Sequence, residues 1–253
     1  MESCEKWKNL NNPPIVAALF QMKYVANNLE LNNFLTYDTQ LKHRLPIRSD
    51  NPHFGINFDA SIPLGKSKVT VTTDAQIKSY TYFSADQKSR LEISTDTITF
   101  IDEHKYSGWV QFKEMTKFYL SILSDVLLGN CEVNRTSIRF INRFTFNNFD
   151  EPQDYFKTLI SSAKDNQLPY PLRQYGFRLF MDIPKTDIYS IVNQSIEFIP
   201  TNKYSYTFDI DVLDRQHLVF NINTIVENME SLRNIKNEIF FNNLTQKTID
   251  LCN

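Results

Sequence analysis

The sequence predicts an α+β protein in which an antiparallel-dominated sheet is covered by about four helices. Three observations lead to this fold class. Runs of alternating apolar and polar residues cluster in groups that are separated by short polar breaks, which is typical of antiparallel meanders. Segments of helical periodicity come between these groups rather than after every strand. Aromatic residues make up 13% of the chain, and their bulky side chains favour strands and sheet–helix interfaces.

The first half of the chain opens with a buried strand and continues into a meander. A strand is predicted over residues 15–24, and apolar residues then recur near helical spacing over residues 31–45. Residues 49–67 contain two prolines and two glycines, so a long, irregular connection is expected there. The strands of the predicted meander lie at residues 68–73, 77–84, 90–94 and 97–101.

A strong helix follows the meander, and the second half then repeats the scheme loosely. The helix is predicted over residues 109–128, with Gly129 placed to end it, and residues 133–146 form a long strand. A short helix is expected around residues 153–163 and a closing helix over about 223–244. The strands between these two helices are predicted at residues 174–183, 188–198 and 204–213.

A meander followed by a helix thus occurs twice, which predicts two similar lobes. The first lobe covers about residues 13–149 and the second about residues 150–253. Residues 147–152 are too short and too poor in Gly and Ser to form a flexible linker. The two lobes are therefore expected to form one α+β domain over residues 1–253.

The scarcity of glycine excludes two classes of nucleotide site. The chain has 5 glycines among 253 residues, and they are scattered, whereas a phosphate-cradling loop needs several close together. A P-loop or a dinucleotide-binding turn is therefore excluded, and no cofactor is expected. The net charge of −2 gives no basis for bulk electrostatic attraction to nucleic acid, although a local basic face stays open.

Cysteine usage and hydropathy predict a cytoplasmic protein. The 3 cysteines are odd in number and widely spaced, which suits a reducing compartment better than a disulfide framework. The first residues lack the apolar segment of a signal peptide. No apolar run approaches the roughly 20 residues that a membrane-spanning helix needs, so no membrane association is expected.

The strand at residues 133–146 carries the sharpest pattern for a binding site. Side chains alternate across a strand, so Arg135, Arg139 and Arg143 share one face. Such a row can hold phosphates or carboxylates through bidentate hydrogen bonds. The alternative is a solvated or covered face on which each arginine pairs with a nearby acidic residue.

No pattern in the sequence indicates catalysis. Asp209 and Asp211 share one strand face and could hold a divalent cation, but simple alternation on a half-exposed strand predicts the same residues. The histidines and cysteines lack metal-ligand spacing, and no serine lies in a nucleophile motif. We therefore assign no catalytic residue and no metal ligand, and a metal-dependent enzyme is the least favoured hypothesis.

The closing helix carries an apolar stripe that is wider than one sheet should cover. Phe240 and Phe241 point about 100° apart, and Leu244 continues the stripe. These three residues are candidates for contact with a second copy of the chain in a homodimer. The alternative is that both phenylalanines close one intramolecular core.

Four stretches of the chain resemble the hallmarks of a prokaryotic protein family. They are Pro13-Pro14-Ile15-Val16-Ala17-Ala18, Trp109 with Phe112, Arg135-x-x-x-Arg139-Phe140-Ile141-Asn142-Arg143, and Asn237-x-Ile239-Phe240-Phe241-x-x-Leu244-Thr245. That family is sporadically distributed, functionally uncharacterised and of about this length. Ser137 stands where the family usually has Gly. The resemblance covers nearly the whole chain but brings no active site with it.

Three functional hypotheses follow. Sporadic distribution is what mobile antiviral-defence genes show, so the resemblance implies an accessory role beside a defence effector such as a CRISPR nuclease. The preferred hypothesis is accordingly a non-enzymatic interaction protein that assembles with an effector protein, as a homodimer. The alternatives are a nucleic-acid or nucleotide-binding module that uses the arginine face, and a metal-dependent enzyme.

Overall fold

The computed structural model describes residues 10–58, 69–148, 151–157 and 173–253, and it describes their side chains except those of 53–58 and 69–76. The strands are β1 (Ile15–Ala26), β2 (Ile47–Phe58), β3 (Val69–Phe83), β4 (Ser89–Ser94), β5 (Thr97–Asp102), β6 (Cys131–Phe146), β7 (Gln174–Asp182), β8 (Ile188–Ile199), β9 (Lys203–Asp214) and β10 (Leu218–Val219). Within these ranges the 10 strands form one sheet, and all pairs of neighbouring strands are antiparallel. The antiparallel α+β architecture is therefore confirmed.

The order of strands across the sheet gives the two halves of the chain the same plan. The order is β2-β3-β4-β5-β1-β6-β9-β8-β7, and the short β10 pairs with β6. The first strand of each half, β1 or β6, pairs with the last long strand of that half, β5 or β9. The two first strands pair with each other at the centre. Strand β6 therefore pairs with one long strand from each predicted lobe, β1 and β9.

Within the described residues, five α-helices accompany the sheet, and about four were predicted for the whole chain. They are α1 (Asp38–Lys42), α2 (Trp109–Ile122), α3 (Ser124–Leu127), α4 (Ile222–Asn243) and α5 (Gln246–Leu251), and short 3-10 helices occupy Leu31–Tyr37 and Glu151–Asp154. The predicted closing helix is confirmed as α4. The predicted helix over residues 109–128 is interrupted at Leu123, so it forms α2 and α3. None of the described helices is both long enough and apolar enough to cross a membrane.

Two predictions for the first half were wrong. Residues 47–58 form β2 rather than an irregular connection, because Pro52 and Gly55 are tolerated at the edge of the sheet. Pro52 and Gly55 each lie next to a shift in the pairing register with β3. The strands predicted at 68–73 and 77–84 are one continuous strand from residue 69, and the remainder of the predicted connection lies outside the described residues.

The short helix predicted at residues 153–163 is also corrected where the chain is described. Glu151–Asp154 forms a single 3-10 turn instead of an α-helix. The ring of Phe156 is buried against Tyr206, with ring centroids 4.2 Å apart. This packing fixes the segment through its aromatic side chains rather than through helical periodicity. Residues 158–163 lie outside the described part of the chain.

The helices pack on one face of the sheet, where an aromatic core forms. Helix α4 lies across β6 and β9 and also contacts α2. Phe240 of α4 stacks on Phe208 of β9 with ring centroids 5.9 Å apart, and Phe112 of α2 meets Phe140 of β6 at 5.8 Å. Phe20 of β1 and Phe140 of β6 are among the fully buried side chains of this core. The opposite face of the sheet carries the predicted row of arginines.

Candidate functional site

The arginine row of β6 lies where the sequence placed it, but its central charge is already neutralised. Arg139 donates from Nε to Asp209 Oδ1 at 2.8 Å and from Nη2 to Oδ2 at 2.7 Å. Asn193 of β8 donates to the same carboxylate at 2.9 Å. Arg135 donates to the side chain of Gln21 on β1, whereas Arg143 is exposed. The row therefore offers less free positive charge than three arginines suggest.

Asp209 and Asp211 of β9 have different environments. Asp209 is occupied by Arg139 and Asn193. Burial raises the pKa of Asp211 to about 6, against the attraction of the Arg139 charge, and one of its oxygens is buried without a hydrogen bond. Among the described residues, no group of three or more His, Cys, Asp or Glu side chains could hold a metal ion.

A cavity of about 530 Å³ lies on the helical side of the sheet. Its walls come from the segment before β1, from the loop before α2, and from one face of α4. The backbone N–H of Arg143 donates to the carbonyl of Pro14 at 2.8 Å, which holds the segment before β1 against β6. The N–H of Asn12 donates to the carbonyl of Cys252 at 2.8 Å and fixes the other end of this wall.

Lys236 places a primary amine in the wall of this cavity. It is 8% exposed, and its Nζ lies 4.4 Å from the ring centroid of Phe140 and 5.9 Å from that of Phe240. No described carboxylate lies within ion-pair distance of this amine. Burial, together with the positive charge of Arg233, lowers the pKa of Lys236 to about 7. A buried amine that lacks a counter-ion is typical of functional sites.

Arg233 brings a second positive charge to the same cavity. Arg233 lies three residues before Lys236, which is about one helical turn, so the two side chains are on the same face of α4. The guanidinium of Arg233 lies 5.4 Å from the ring centroid of Trp109. Its nearest carboxylate is Glu230, at 3.8 Å, but Glu230 is held more closely by Lys113, at 2.6 Å. No Asp or Glu is among the described residues that line the cavity. The lining is therefore positively charged.

The amino-terminal end of α2 opens into the cavity. Gly108, Trp109 and Val110 line it, and no described side chain caps the helix at Gly108. The first N–H groups of a helix have no acceptor within the helix and form the positive end of its dipole. Gly108 has φ of +116°, which other residues adopt only with strain, so the sequence keeps this helix end free of a side-chain cap.

The stretches that carry the family resemblance meet at this cavity, although they are far apart in the sequence. Pro13 and Pro14 form one wall, Trp109 another, and Asn142 of β6 lies at its base with Asn237 of α4. No protein-family model matches the chain, and no curated protein is significantly similar to it. The resemblance therefore stays a hypothesis. The meeting of the four stretches at the cavity is an observation about this chain and does not depend on membership of the family.

The sequence interpretation missed Lys236 and Arg233, although a signal was present. Leu232, Lys236 and Phe240 are spaced by four residues, so the lysine occupies a position within the buried stripe of α4. A charged residue in such a stripe is uncommon and needs a partner or a function. The missed signal was thus the break in the apolar pattern, rather than any motif.

The candidates for a homodimer interface lie beside the same cavity. Phe240 and Leu244 are buried in the core of their own chain, so they are not available to a second copy in this arrangement. Phe241 is only partly buried, and its ring meets that of Phe240 edge-on with centroids 5.2 Å apart. A contact between copies through Phe241 stays a prediction.

Proposed function

We propose that the protein is a non-enzymatic binding protein that recognises an anionic group in the cavity beside Lys236. The observation that carries this proposal is the buried Lys236 amine, which has no described carboxylate as a counter-ion. Burying a positive charge without a partner costs several kcal/mol, so a bound anion would supply the missing interaction. The sequence predicts an interaction protein, and our proposal adds a defined recognition site to that prediction.

Two further features support an anion rather than a neutral ligand. Arg233 adds a second positive charge that is only weakly engaged by Glu230, at 3.8 Å. The uncapped amino terminus of α2 adds N–H donors and the positive end of a helix dipole. Three features on two helices, Lys236 and Arg233 of α4 and the amino terminus of α2, therefore attract negative charge to the cavity, and none of the described lining residues is acidic.

The alternatives from the sequence have less support. A nucleic-acid module based on β6 would need free guanidinium groups, but that of Arg139 is held by Asp209. A metal-dependent enzyme would need Asp209 and Asp211 as joint ligands, and Asp209 is engaged by Arg139 and Asn193. An effector protein as partner, a role in antiviral defence, a cytoplasmic location and a homodimer remain proposals that the cavity neither requires nor opposes.

Thermal unfolding in the presence of small anions tests the proposed function. Inorganic phosphate and acetate should raise the unfolding midpoint relative to chloride at matched ionic strength, because a ligand of the folded state stabilises it. Lys236→Met keeps the side-chain length and removes the charge, so this variant should lose the anion-dependent shift. The readout is the shift caused by the anion, so a change in the stability of the free variant does not obscure it.

Lys117→Met is the matched control for this experiment. Lys117 also lies on α2, which contacts α4, but it does not line the cavity and is not the lysine that holds Glu230. Its variant should retain the shift of the wild type. Equal shifts in all three proteins, or no shift with any anion, would show that Lys236 is not an anion site.

A further inference from the structure

Charged and apolar groups both line the cavity. Lys236, Arg233 and the amino-terminal end of α2 at Gly108 attract negative charge. Pro13, Pro14 and Phe241 are apolar, and each of them is only partly buried. Partly buried apolar walls gain free energy when a ligand covers them. The lining therefore favours a ligand with two chemically different ends.

We infer that the ligand is a small organic acid, with an anionic head at Lys236 and an apolar body along Pro13, Pro14 and Phe241. This inference rests on the proposed function and adds the chemical class of the ligand. The head is a carboxylate or a phosphate monoester, since both present the same negatively charged oxygens to ammonium, guanidinium and N–H donors.

The size of the cavity supports an organic molecule rather than an inorganic ion. A volume of about 530 Å³ lies within the range of small-molecule sites, and one inorganic anion would fill only a minor part of it. Lys236 is 8% exposed, and its Nζ lies over the rings of Phe140 and Phe240. An internal phosphate of a nucleic-acid strand cannot reach such a depth without the strand itself entering the cavity.

Polar groups at the base of the cavity can orient the head. Asn237 is buried on the same helix as Lys236, and Asn142 is held in place by donating to the carbonyl of Phe208 at 2.9 Å. Tyr106 lies edge-on to Phe140 with ring centroids 5.8 Å apart, and burial raises its pKa, so its hydroxyl stays a hydrogen-bond donor. Few polar groups among apolar walls are typical of sites that select one small molecule.

Binding of an acid should be accompanied by uptake of a proton at Lys236. The amine lies over the rings of Phe140 and Phe240, and Arg233 and Tyr106 line the same cavity. Glu230 lies six residues earlier on α4, 3.8 Å from Arg233, and Lys113 of α2 is bound to it. The anionic head would be the nearest negative charge to Lys236 and would favour its charged form.

Titration calorimetry with a series of acids tests the inference. Acetate, butyrate, hexanoate and benzoate share one head and differ in their bodies, and phenyl phosphate and inorganic phosphate form the second arm. Affinity should increase about fourfold for each added methylene group, which corresponds to about 0.8 kcal/mol of transfer free energy. At pH 8, the heat should depend on the ionisation enthalpy of the buffer, because Lys236 takes up a proton. Lys236→Met should weaken every acid of both arms.

Two further variants test whether the apolar body of the ligand contacts Phe241. Phe241→Ala should weaken hexanoate and benzoate on the order of tenfold and leave acetate unchanged, because only the longer acids reach this ring. Ile239→Ala is the control: this residue is partly buried on the same helix but does not line the cavity, so its variant should bind all acids as the wild type does.

The possible outcomes separate the inference from the proposed function. If acetate and inorganic phosphate bind through Lys236 but longer bodies add nothing, the organic-acid inference fails while the anion site stands. Equal affinity for benzoate and neutral benzamide, or no binding of any acid, would overturn the anion site itself. Tighter binding of benzoate than of phenyl phosphate supports a carboxylate head, and the reverse order supports a phosphate head.

Discussion

At the scale of single residues, the position of Lys236 departs from the rules of local sequence. It occupies a position in the buried stripe of α4 where Leu232 and Phe240 are its neighbours by spacing. Aromatic rings surround its amine, and a cation over a ring recovers only part of the free energy lost on leaving water. The chain therefore retains a destabilising group at this position.

Lys236 should give the folded protein a distinctive dependence of stability on pH. Its pKa is about 7 in the folded state and 10.5 when unperturbed, so between these values the unfolded state binds more protons than the folded state. The free energy of unfolding contributed by this group consequently rises as the pH increases from about 7 to about 10.5.

Urea unfolding at several pH values would measure this contribution. In Lys236→Met the rise between pH 7 and 10.5 should be absent, and the variant should be more stable than the wild type near pH 7, because no buried charge remains. Parallel pH profiles for the two proteins would show that Lys236 does not titrate near neutrality in the folded state.

At the scale of elements, β6 shows which features local sequence can and cannot predict. Alternation correctly predicted the strand and the common face of Arg135, Arg139 and Arg143. The partner of Arg139 depends on the register between β6 and β9. This register places Asp211 directly opposite Arg139, and Asp209 lies on the same face two residues before Asp211, diagonally across from Arg139. Register is set by two distant segments, so no pattern within either strand contains it.

The same reasoning explains which other elements were predicted correctly from the sequence and which were not. Strand β1 and helix α4 have long, regular apolar periodicity, and their predicted bounds agree closely with the structure. Strand β2 contains Pro52 and Gly55 and was predicted as a connection, because the tolerance of an edge strand for such residues depends on its place in the sheet. The cavity was unpredictable in the same way, since its walls come from segments that only the tertiary fold brings together.

The pairing of Arg139 with Asp209 should stabilise the sheet measurably. Arg139→Gln leaves the Asp209 carboxylate, whose side chain is 6% exposed, without its bidentate donor. Because the arginine side chain is 40% exposed, we expect a loss of about 2 kcal/mol, below the range for a fully buried pair.

Arg143→Gln provides the comparison on the same strand face. Arg143 is exposed, so its replacement should change the free energy of unfolding by no more than about 0.5 kcal/mol. Chemical denaturation of both variants decides the matter. Equal losses would mean that the Arg139–Asp209 geometry adds nothing beyond the general charge of the strand.

At the scale of the whole molecule, the surface around α4 is where a second copy of the chain is expected. Phe240 and Leu244 belong to the core, which leaves Phe241 as the remaining candidate from the closing helix. Phe241 also lines the cavity, so a contact between copies at this residue would restrict access to the ligand site. Oligomeric state and ligand binding are thus expected to influence each other.

Light scattering at micromolar concentration tests the predicted homodimer. The wild type should have the mass of a dimer, and Phe241→Glu should have that of a monomer, because a buried charge at the interface is costly. Asn242→Glu adds the same charge at the adjacent exposed position and should remain a dimer. A monomeric wild type, or an unaltered dimer in Phe241→Glu, would remove this helix from the interface.

The central pairing of β1 with β6 has a consequence for how the chain is made. During synthesis, β1 leaves the ribosome first and gains β5 as a neighbour early, but its other edge waits until β6 has been translated. An unpaired strand edge is a template for pairing with other chains. The edge of β1 in the nascent first half therefore stays exposed until residues 131–146 emerge from the ribosome. The yield of folded protein should depend on how well the cell protects that edge from pairing with other chains.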